Sequence, residues 1–249
     1  VSRMLPGVLA ESKRTGSAVV VHDSSIKNRP QMQEVILDLK KQYDFFFMQT
    51  DPVSMGLARN MAMWVGIELY APTFICMIED DHGFHSGLIT EMTEAMKRYY
   101  GQVSPNGLRY GLFTACPFCW GDAYFEALKP IEEGSSYYIV DINRVSVMMA
   151  GGANSCFRCA PTSHWISVLR GYDTDDYPIS TFQTAGLNLR NYHKGFTTLV
   201  VRKGELVSRQ QREGRGFTVA PELRPFNMDF SALDPRSGFV KPKLKGADS

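Results

Sequence analysis

One stretch, residues 73–84 with the sequence TFICMIEDDHGF, limits what this 249-residue chain can fold into. Its first six residues are apolar or β-branched, which predicts a strand buried on both faces. Three acids, Glu79, Asp80 and Asp81, follow at once. Carboxylates at the end of a buried strand are costly unless a positive partner meets them, and ligands of open α/β sheets bind at this carboxyl edge.

The spacing of the acids predicts a cation site. Glu79 and Asp81 are separated by one residue, so they lie on the same side of an extended chain. We expect both to face one hard cation, Mg²⁺ or Mn²⁺, because such ions prefer oxygen ligands and tolerate bound phosphates. A solvated acidic turn is the alternative interpretation.

Composition limits the class of protein. The chain is 44% hydrophobic and has a net charge of +1 from 27 basic and 26 acidic side chains. This suits one sizeable domain and gives no global field that favours nucleic acid or membrane. We see no run of 18 apolar residues and no signal-peptide pattern, so we expect no membrane insertion. Five cysteines in a chain of this size indicate a reducing compartment, and we expect a cytoplasmic protein.

Hydrophobic periodicity predicts a strand, a helix and a strand in the first 52 residues, which is one βαβ unit with a parallel sheet. A region without clear periodicity covers residues 116–144. We divide the chain into a helical lead-in at 1–16, one domain at 17–220 and an irregular tail at 221–249. The predicted elements are strands at 17–21, 45–48, 73–78, 109–115, 145–150 and 196–201, and helices from Arg29 and at 56–69, 85–100, 161–169 and 177–192.

Five short motifs in this order resemble glycosyltransferases of the GT-A fold, especially inverting family 2. They are the β–α–β unit that ends at Asp51, the GLARN sequence at 56–60, the strand into Glu79, the sequence GGAN at 151–154 with Phe157-Arg158, and Gly171-Tyr172-Asp173 with Asp175-Asp176. The similarity spans about residues 17–201. It implies a Rossmann-like α/β domain with a mostly parallel central sheet flanked by helices, and a metal-dependent transfer of sugar from a nucleotide sugar.

The resemblance assigns the donor-binding residues. Asp51 matches the position that contacts the nucleotide base, and His22 and Ser24 lie where the base and ribose are expected. Arg59 matches a position near the donor diphosphate. Arg212, among the late arginines, is a loose substitute for a motif that closes over the diphosphate. Asp51 as a turn cap and Arg59 as the partner of a surface acid are the alternatives.

The resemblance also assigns the metal and the base. Asp81 would hold the Mn²⁺ or Mg²⁺ on the diphosphate, while Glu79 would approach the ribose or a metal-bound water. Asp80 is counted with the donor-binding residues, although an extended chain turns its side chain the other way. Asp176 matches the catalytic base, and Asp175 takes the place beside it that is usually Glu. The alternative for this second cluster is an acidic first turn of the next helix.

Four cysteines form two pairs with the C-x-x-C spacing. The spacing fits a structural four-thiolate Zn²⁺ site, although the resembled family has no such feature. Buried free thiols and a redox pair are the alternatives. The ligands would be Cys116, Cys119, Cys156 and Cys159.

The sequence therefore predicts an enzyme that transfers a sugar to an acceptor hydroxyl with inversion. The resemblance implies that the donor is a UDP-linked sugar. A nucleotidyltransferase that makes a sugar nucleotide is one alternative, and a non-catalytic nucleotide- or glycan-binding module of the same fold is another. The acceptor stays open among a small molecule, a glycan, a protein and modified DNA.

Overall fold

The computed structural model describes residues 4–24, 29–79, 86–115, 128–140, 157–172 and 180–201, with side chains from 186 in the last range. These ranges contain helices on both sides of β-structure. The helices are α1 (Leu5–Thr15), α2 (Arg29–Lys40), α3 (Met55–Tyr70), α4 (Leu88–Tyr99), α5 (Thr162–His164, continued by a π-helix at Trp165–Leu169) and α6 (Ser180–His193). The strands are β1 (Val20–Asp23), β2 (Phe46–Gln49), β3 (Phe74–Ile78), β4 (Arg109–Ala115), β5 (Leu128–Pro130), β6 (Tyr137–Val140), β7 (Phe157–Pro161) and β8 (Phe196–Val201).

The expected βαβ unit is present, because β1 and β2 pair in parallel. The other described strands form a six-stranded mixed sheet in the order β3-β7-β4-β8-β6-β5. In this sheet only β4 and β8 are parallel neighbours, and the other pairs are antiparallel. The expectation of a mostly parallel sheet is therefore wrong for the described residues, because β7 lies antiparallel between β3 and β4 and because β6 and β5 continue the sheet in antiparallel pairs beyond β8.

The inserted strand does not change the direction of its neighbours. Since β7 is antiparallel to both β3 and β4, these two strands run the same way, and β8 follows β4 in parallel. The carboxyl ends of β3, β4 and β8 thus lie at one edge of the sheet. The site described below lies at the β3 end of this edge.

Helices pack on both faces of the six-stranded sheet. On one face, Met92 and Met96 of α4 and Val8 of α1 pack with Phe113 of β4. On the other face, Leu112 packs with residues of α3, the π-helix and α6, among them Met63, Trp165 and Leu187. Successive strand residues face opposite sides, so the neighbours Leu112 and Phe113 join different cores. Full burial of a large apolar side chain stabilises the folded state by about 1.5–3 kcal/mol.

The first helix belongs to this packed structure. Glu11 of α1 is buried, and its carboxylate accepts hydrogen bonds from the backbone N–H groups of Gly87 (2.9 Å) and Thr90 (3.2 Å). These N–H groups lie at the start of α4, where no partner within the helix is available to them. A carboxylate there also interacts favourably with the helix dipole. The segment predicted as a lead-in therefore fixes the beginning of α4.

No helix among the described residues is both long and apolar enough to cross a membrane.

Candidate functional site

Three consecutive residues at the start of α3 connect three separate parts of the chain. The carbonyl oxygen of Ala58 accepts a hydrogen bond from His22 Nδ1 at the end of β1 (2.9 Å). Arg59 Nη2 binds the carboxylate of Glu79, directly after β3. Asn60 binds the backbone of Tyr172, which follows the π-helix. The GLARN sequence thus holds together the β1 end, the β3 end and the loop at Gly171-Tyr172.

Ser54 fixes the position at which α3 begins. Its side chain accepts a hydrogen bond from the backbone N–H of Leu57 (3.3 Å), which makes it the N-cap residue. A serine cap satisfies one of the N–H groups that have no partner within the helix and contributes about 1 kcal/mol. The cap therefore sets where Arg59 and Asn60 lie in the first turns.

Both ring nitrogens of His22 are bound within the protein. A carbonyl oxygen can only accept, so Nδ1 carries the proton that goes to Ala58. In the neutral ring Nε2 then accepts from the Thr50 hydroxyl, at 2.9 Å. The predicted contact of His22 with a base or ribose would have to replace one of these bonds. The geometry favours a different role, in which His22 holds the ends of β1 and β2 against α3.

Asp51 lies where a ligand can reach it. Its side chain is 97% exposed, and one carboxylate oxygen is 3.9 Å from Arg29 Nη2. The same Arg29 group donates to the carbonyl oxygen of Thr50 (2.8 Å), so it fixes the chain at the β2 end. Ser24 is half-buried directly after β1. The sequence placed Ser24 and Asp51 at one site, and the parallel pairing of β1 with β2 brings their strand ends side by side.

Two arginines converge on Glu79. Besides its bond to Arg59, one carboxylate oxygen of Glu79 lies 3.9 Å from Nη1 of Arg158, which comes from β7. The same Nη1 donates to the hydroxyl of Tyr172 at 3.2 Å. The ring of Tyr172 lies 4.9 Å from the guanidinium carbon of Arg59 and 5.9 Å from that of Arg158. We call Arg59, Glu79, Arg158 and Tyr172 the arginine cluster.

The arginine cluster concentrates positive charge at the end of β3. Its two guanidinium groups face the Glu79 carboxylate, and the Arg158 side chain is only 2% exposed. Burying a cation is costly unless it is paired and hydrogen-bonded, and Arg158 meets both Glu79 and the Tyr172 hydroxyl. Guanidinium groups in fixed positions suit the oxygens of a phosphate or a carboxylate.

This arrangement bears on the expectation for Glu79. Its carboxylate binds two guanidinium groups in this structure, and its role as a ligand of the divalent ion stays a prediction. A divalent cation beside the same oxygen would be repelled by both arginines. Among the residues that the structure describes, no three His, Cys, Asp or Glu side chains converge as a metal site would require.

The loop at Gly171-Tyr172 is held from two sides. Asn60 Nδ2 donates to the Tyr172 carbonyl and Asn60 Oδ1 accepts from its N–H, both at 2.8 Å. From α6, Arg190 donates to the carbonyl oxygens of Leu169 (2.5 Å) and Gly171 (2.6 Å). Gly171 has a φ of +71°, and a Cβ there would lie 2.7 Å from Asn60 Oδ1. Glycine therefore lets the loop approach α3 this closely.

Cys159 is not available as a ligand of the predicted zinc site. Cys159 is joined to Cys76 by a disulfide between opposite residues of β7 and β3. A sulfur in a disulfide is not the thiolate that zinc requires, so this ligand assignment is corrected. Its partner Cys76 lies within the predicted strand at 73–78.

Several predicted residues lie outside the described ranges, so the structure does not place them. They include both predicted catalytic acids and the predicted principal metal ligand. They are Asp80, Asp81, Cys116, Cys119, Cys156, Asp175, Asp176 and Arg212.

Three residues that the structure brings to the site had no predicted role: Asn60, Arg158 and Tyr172. Each lies in one of the motifs on which the resemblance to glycosyltransferases is based. An arginine between Phe157 and Cys159 was one available signal, because a charged residue in an apolar segment needs a buried partner. Its partners, Tyr172 and Glu79, are distant in the sequence, and no local pattern indicates them.

No protein-family model matches this chain, and no curated protein matches it either.

Proposed function

We propose that this protein is a metal-dependent glycosyltransferase that moves a sugar from a nucleoside-diphosphate sugar, UDP-linked by preference, to an acceptor hydroxyl with inversion. One observation carries the proposal. The arginine cluster joins Glu79 to Tyr172, and these are the residues from which the two acidic segments of the chain continue.

The covalent chain limits how far those acids lie from the cluster. Asp81 follows Glu79 by two residues and Asp176 follows Tyr172 by four. Extended residues span at most about 3.6 Å each, so the two acids are tethered within about 7 Å and about 14 Å of these anchors. These limits are compatible with both carboxylates meeting one sugar diphosphate at the cluster.

The charges of the cluster fit the leaving group. When the bond between the anomeric carbon and the diphosphate oxygen breaks, the oxygen keeps the electron pair and the nucleoside diphosphate gains negative charge. Arg59 and Arg158 are already in place to stabilise that charge, which lowers the barrier without reorganisation. Asp81 would hold Mn²⁺ or Mg²⁺, and the bound ion would supply further stabilisation of the same phosphate oxygens.

The second acidic segment supplies the base. Asp176, or its neighbour Asp175, would accept the proton of the acceptor hydroxyl. The hydroxyl oxygen then attacks the anomeric carbon from the face opposite the diphosphate, and this direct displacement inverts that centre. Asp51 would accept an N–H of the base, Ser24 lies where the ribose is expected, and Arg212 would close over the diphosphate.

The test is donor hydrolysis by the purified full chain with Mn²⁺ and a panel of UDP-sugars. Release of UDP supports the proposal, and Asp176→Asn should reduce it about 100-fold or more, the contribution typical of a general base. Asp38→Asn on the exposed surface of α2 is the matched control and should not change the rate.

Two other outcomes would contradict the proposal. Turnover that requires pyrophosphate would indicate a nucleotidyltransferase. Tight UDP binding without any turnover would indicate a non-catalytic module.

A further inference from the structure

The backbone, the hydroxyl and the ring of Tyr172 each contact a residue of the site. Its backbone N–H and carbonyl both bind the Asn60 side chain. Its hydroxyl accepts a hydrogen bond from Arg158. The face of its ring lies against the guanidinium of Arg59, a geometry that favours attraction between cation and ring. Only 3% of the residue is exposed.

The two arginines that touch Tyr172 are the two that pair with Glu79. A displacement of Tyr172 therefore alters the position of both guanidinium groups. In the other direction, an anion that draws Arg59 or Arg158 away from Glu79 changes the surroundings of Tyr172. The next residues along the chain are Asp173 to Asp176.

The backbone directly before Tyr172 is held in one conformation. Arg170 and Gly171 both have positive φ, +57° and +71°, and a non-glycine residue in this region is strained unless its surroundings hold it. Arg190 binds the carbonyl oxygens of Leu169 and Gly171 on either side of Arg170. Residues 169–172 are thus held by side chains of both α3 and α6.

We propose that Tyr172 is a positioning residue that fixes the geometry of the arginine cluster around Glu79. It acts through Arg158 and Arg59 and not by contact with the reacting atoms. The expected effect on kcat rests on the proposed function. The coupling between Tyr172 and Arg158 does not, because it can be measured by unfolding without any substrate.

A double-mutant cycle tests the coupling first. The proteins are the wild type, Tyr172→Phe, Arg158→Met and the double variant, compared by urea unfolding. Residues in one hydrogen-bonded network show non-additive effects, so Tyr172→Phe should raise the unfolding equilibrium constant about fivefold alone and much less beside Arg158→Met. Additive effects would overturn the inference. If Arg158→Met does not fold, Arg158→Lys takes its place, because it keeps the buried charge.

Kinetics of UDP release then separate positioning from mere structural support. Tyr172→Phe should lower kcat about fivefold to tenfold, as expected for one lost hydrogen bond that orients the site, and leave KM for the UDP-sugar within about twofold. Tyr100→Phe is the matched control, because it also removes a hydroxyl, one that binds His164 Nδ1 away from the cluster (3.3 Å). The control should lower stability without changing kcat.

The outcomes distinguish the two proposals. An unchanged kcat in Tyr172→Phe, with an active wild type, overturns the positioning role alone. A wild type that neither binds UDP nor releases it from any donor overturns the proposed function, and the unfolding cycle still decides whether Tyr172 and Arg158 are coupled.

Discussion

Gly171 is the residue at which the close approach between the loop and α3 can be measured. Gly171→Ala adds both a strained positive φ and a contact of 2.7 Å with Asn60 Oδ1. Gly195→Ala is the matched control, since its φ is +81° and no atom lies within 4 Å of the added Cβ. Urea unfolding should show a loss of about 1 kcal/mol for the control from backbone strain alone, and about 1–3 kcal/mol more for Gly171→Ala. Equal losses would mean that the Asn60 contact is unimportant.

Buried His164 makes stability depend on pH. Burial lowers its pKa below the ordinary value, although the hydrogen bond to Asn191 opposes this. The unfolded state therefore binds the proton more readily, and stability should be lost as the pH falls below about 6.5. Unfolding free energies at pH 7.5 and 5.5 should differ more for the wild type than for His164→Gln. The same pH dependence in both proteins would assign the effect to other groups.

At the scale of elements, the disulfide joins β3 to β7 across 83 residues of sequence. The chain-entropy model gives a loop of this length a stabilisation of about 4–5 kcal/mol. Since this bond joins two of the five cysteines, the denatured wild type should expose at most three free thiols, and a reductant should lower its unfolding free energy. Cys76→Ala should be less sensitive to the reductant. Five free thiols in the wild type would contradict the bond and would favour the reducing compartment that the cysteine count suggested.

The strands that the sequence predicted well are those with continuous apolar runs. The bounds of β4 and β8 are confirmed, and β3 begins one residue later than expected. The pattern missed β7, because Arg158 and Pro161 make FRCAP read as loop. Arg158 is buried there because Tyr172 and Glu79 bind it. The pattern also missed β5 and β6, and all three missed strands pair in antiparallel fashion, which is why the expectation of a mostly parallel sheet is wrong.

The candidate site could be predicted only in part from the sequence. The sequence places Arg59 and Glu79 at the ends of elements that neighbour each other, and the structure brings them together. The bond between Asn60 and Tyr172 spans 112 residues. Such contacts depend on how α3, β7 and the π-helix pack, and hydrophobic periodicity carries no information about that packing.

At the scale of the whole molecule, one helix terminus organises the site. The first turns of α3 hold the ends of β1 and β3 and the loop before the second acidic segment. The arginine cluster lies where these parts meet, and its two guanidinium groups suit the oxygens of a phosphate. The account therefore predicts that a nucleoside diphosphate binds here and that Arg59 is required for it.

Thermal unfolding with UDP, with and without Mn²⁺, tests this claim most directly. A ligand at about 100 times its Kd should stabilise the wild type by about 2.7 kcal/mol, and Asp81→Asn should lose the part of the shift that depends on Mn²⁺. Arg59→Met should lose most of the shift, whereas Arg109→Met, which removes an exposed arginine at the start of β4, should keep it. A wild type that UDP does not stabilise, or an Arg59→Met protein that it stabilises as strongly as the wild type, would contradict the account.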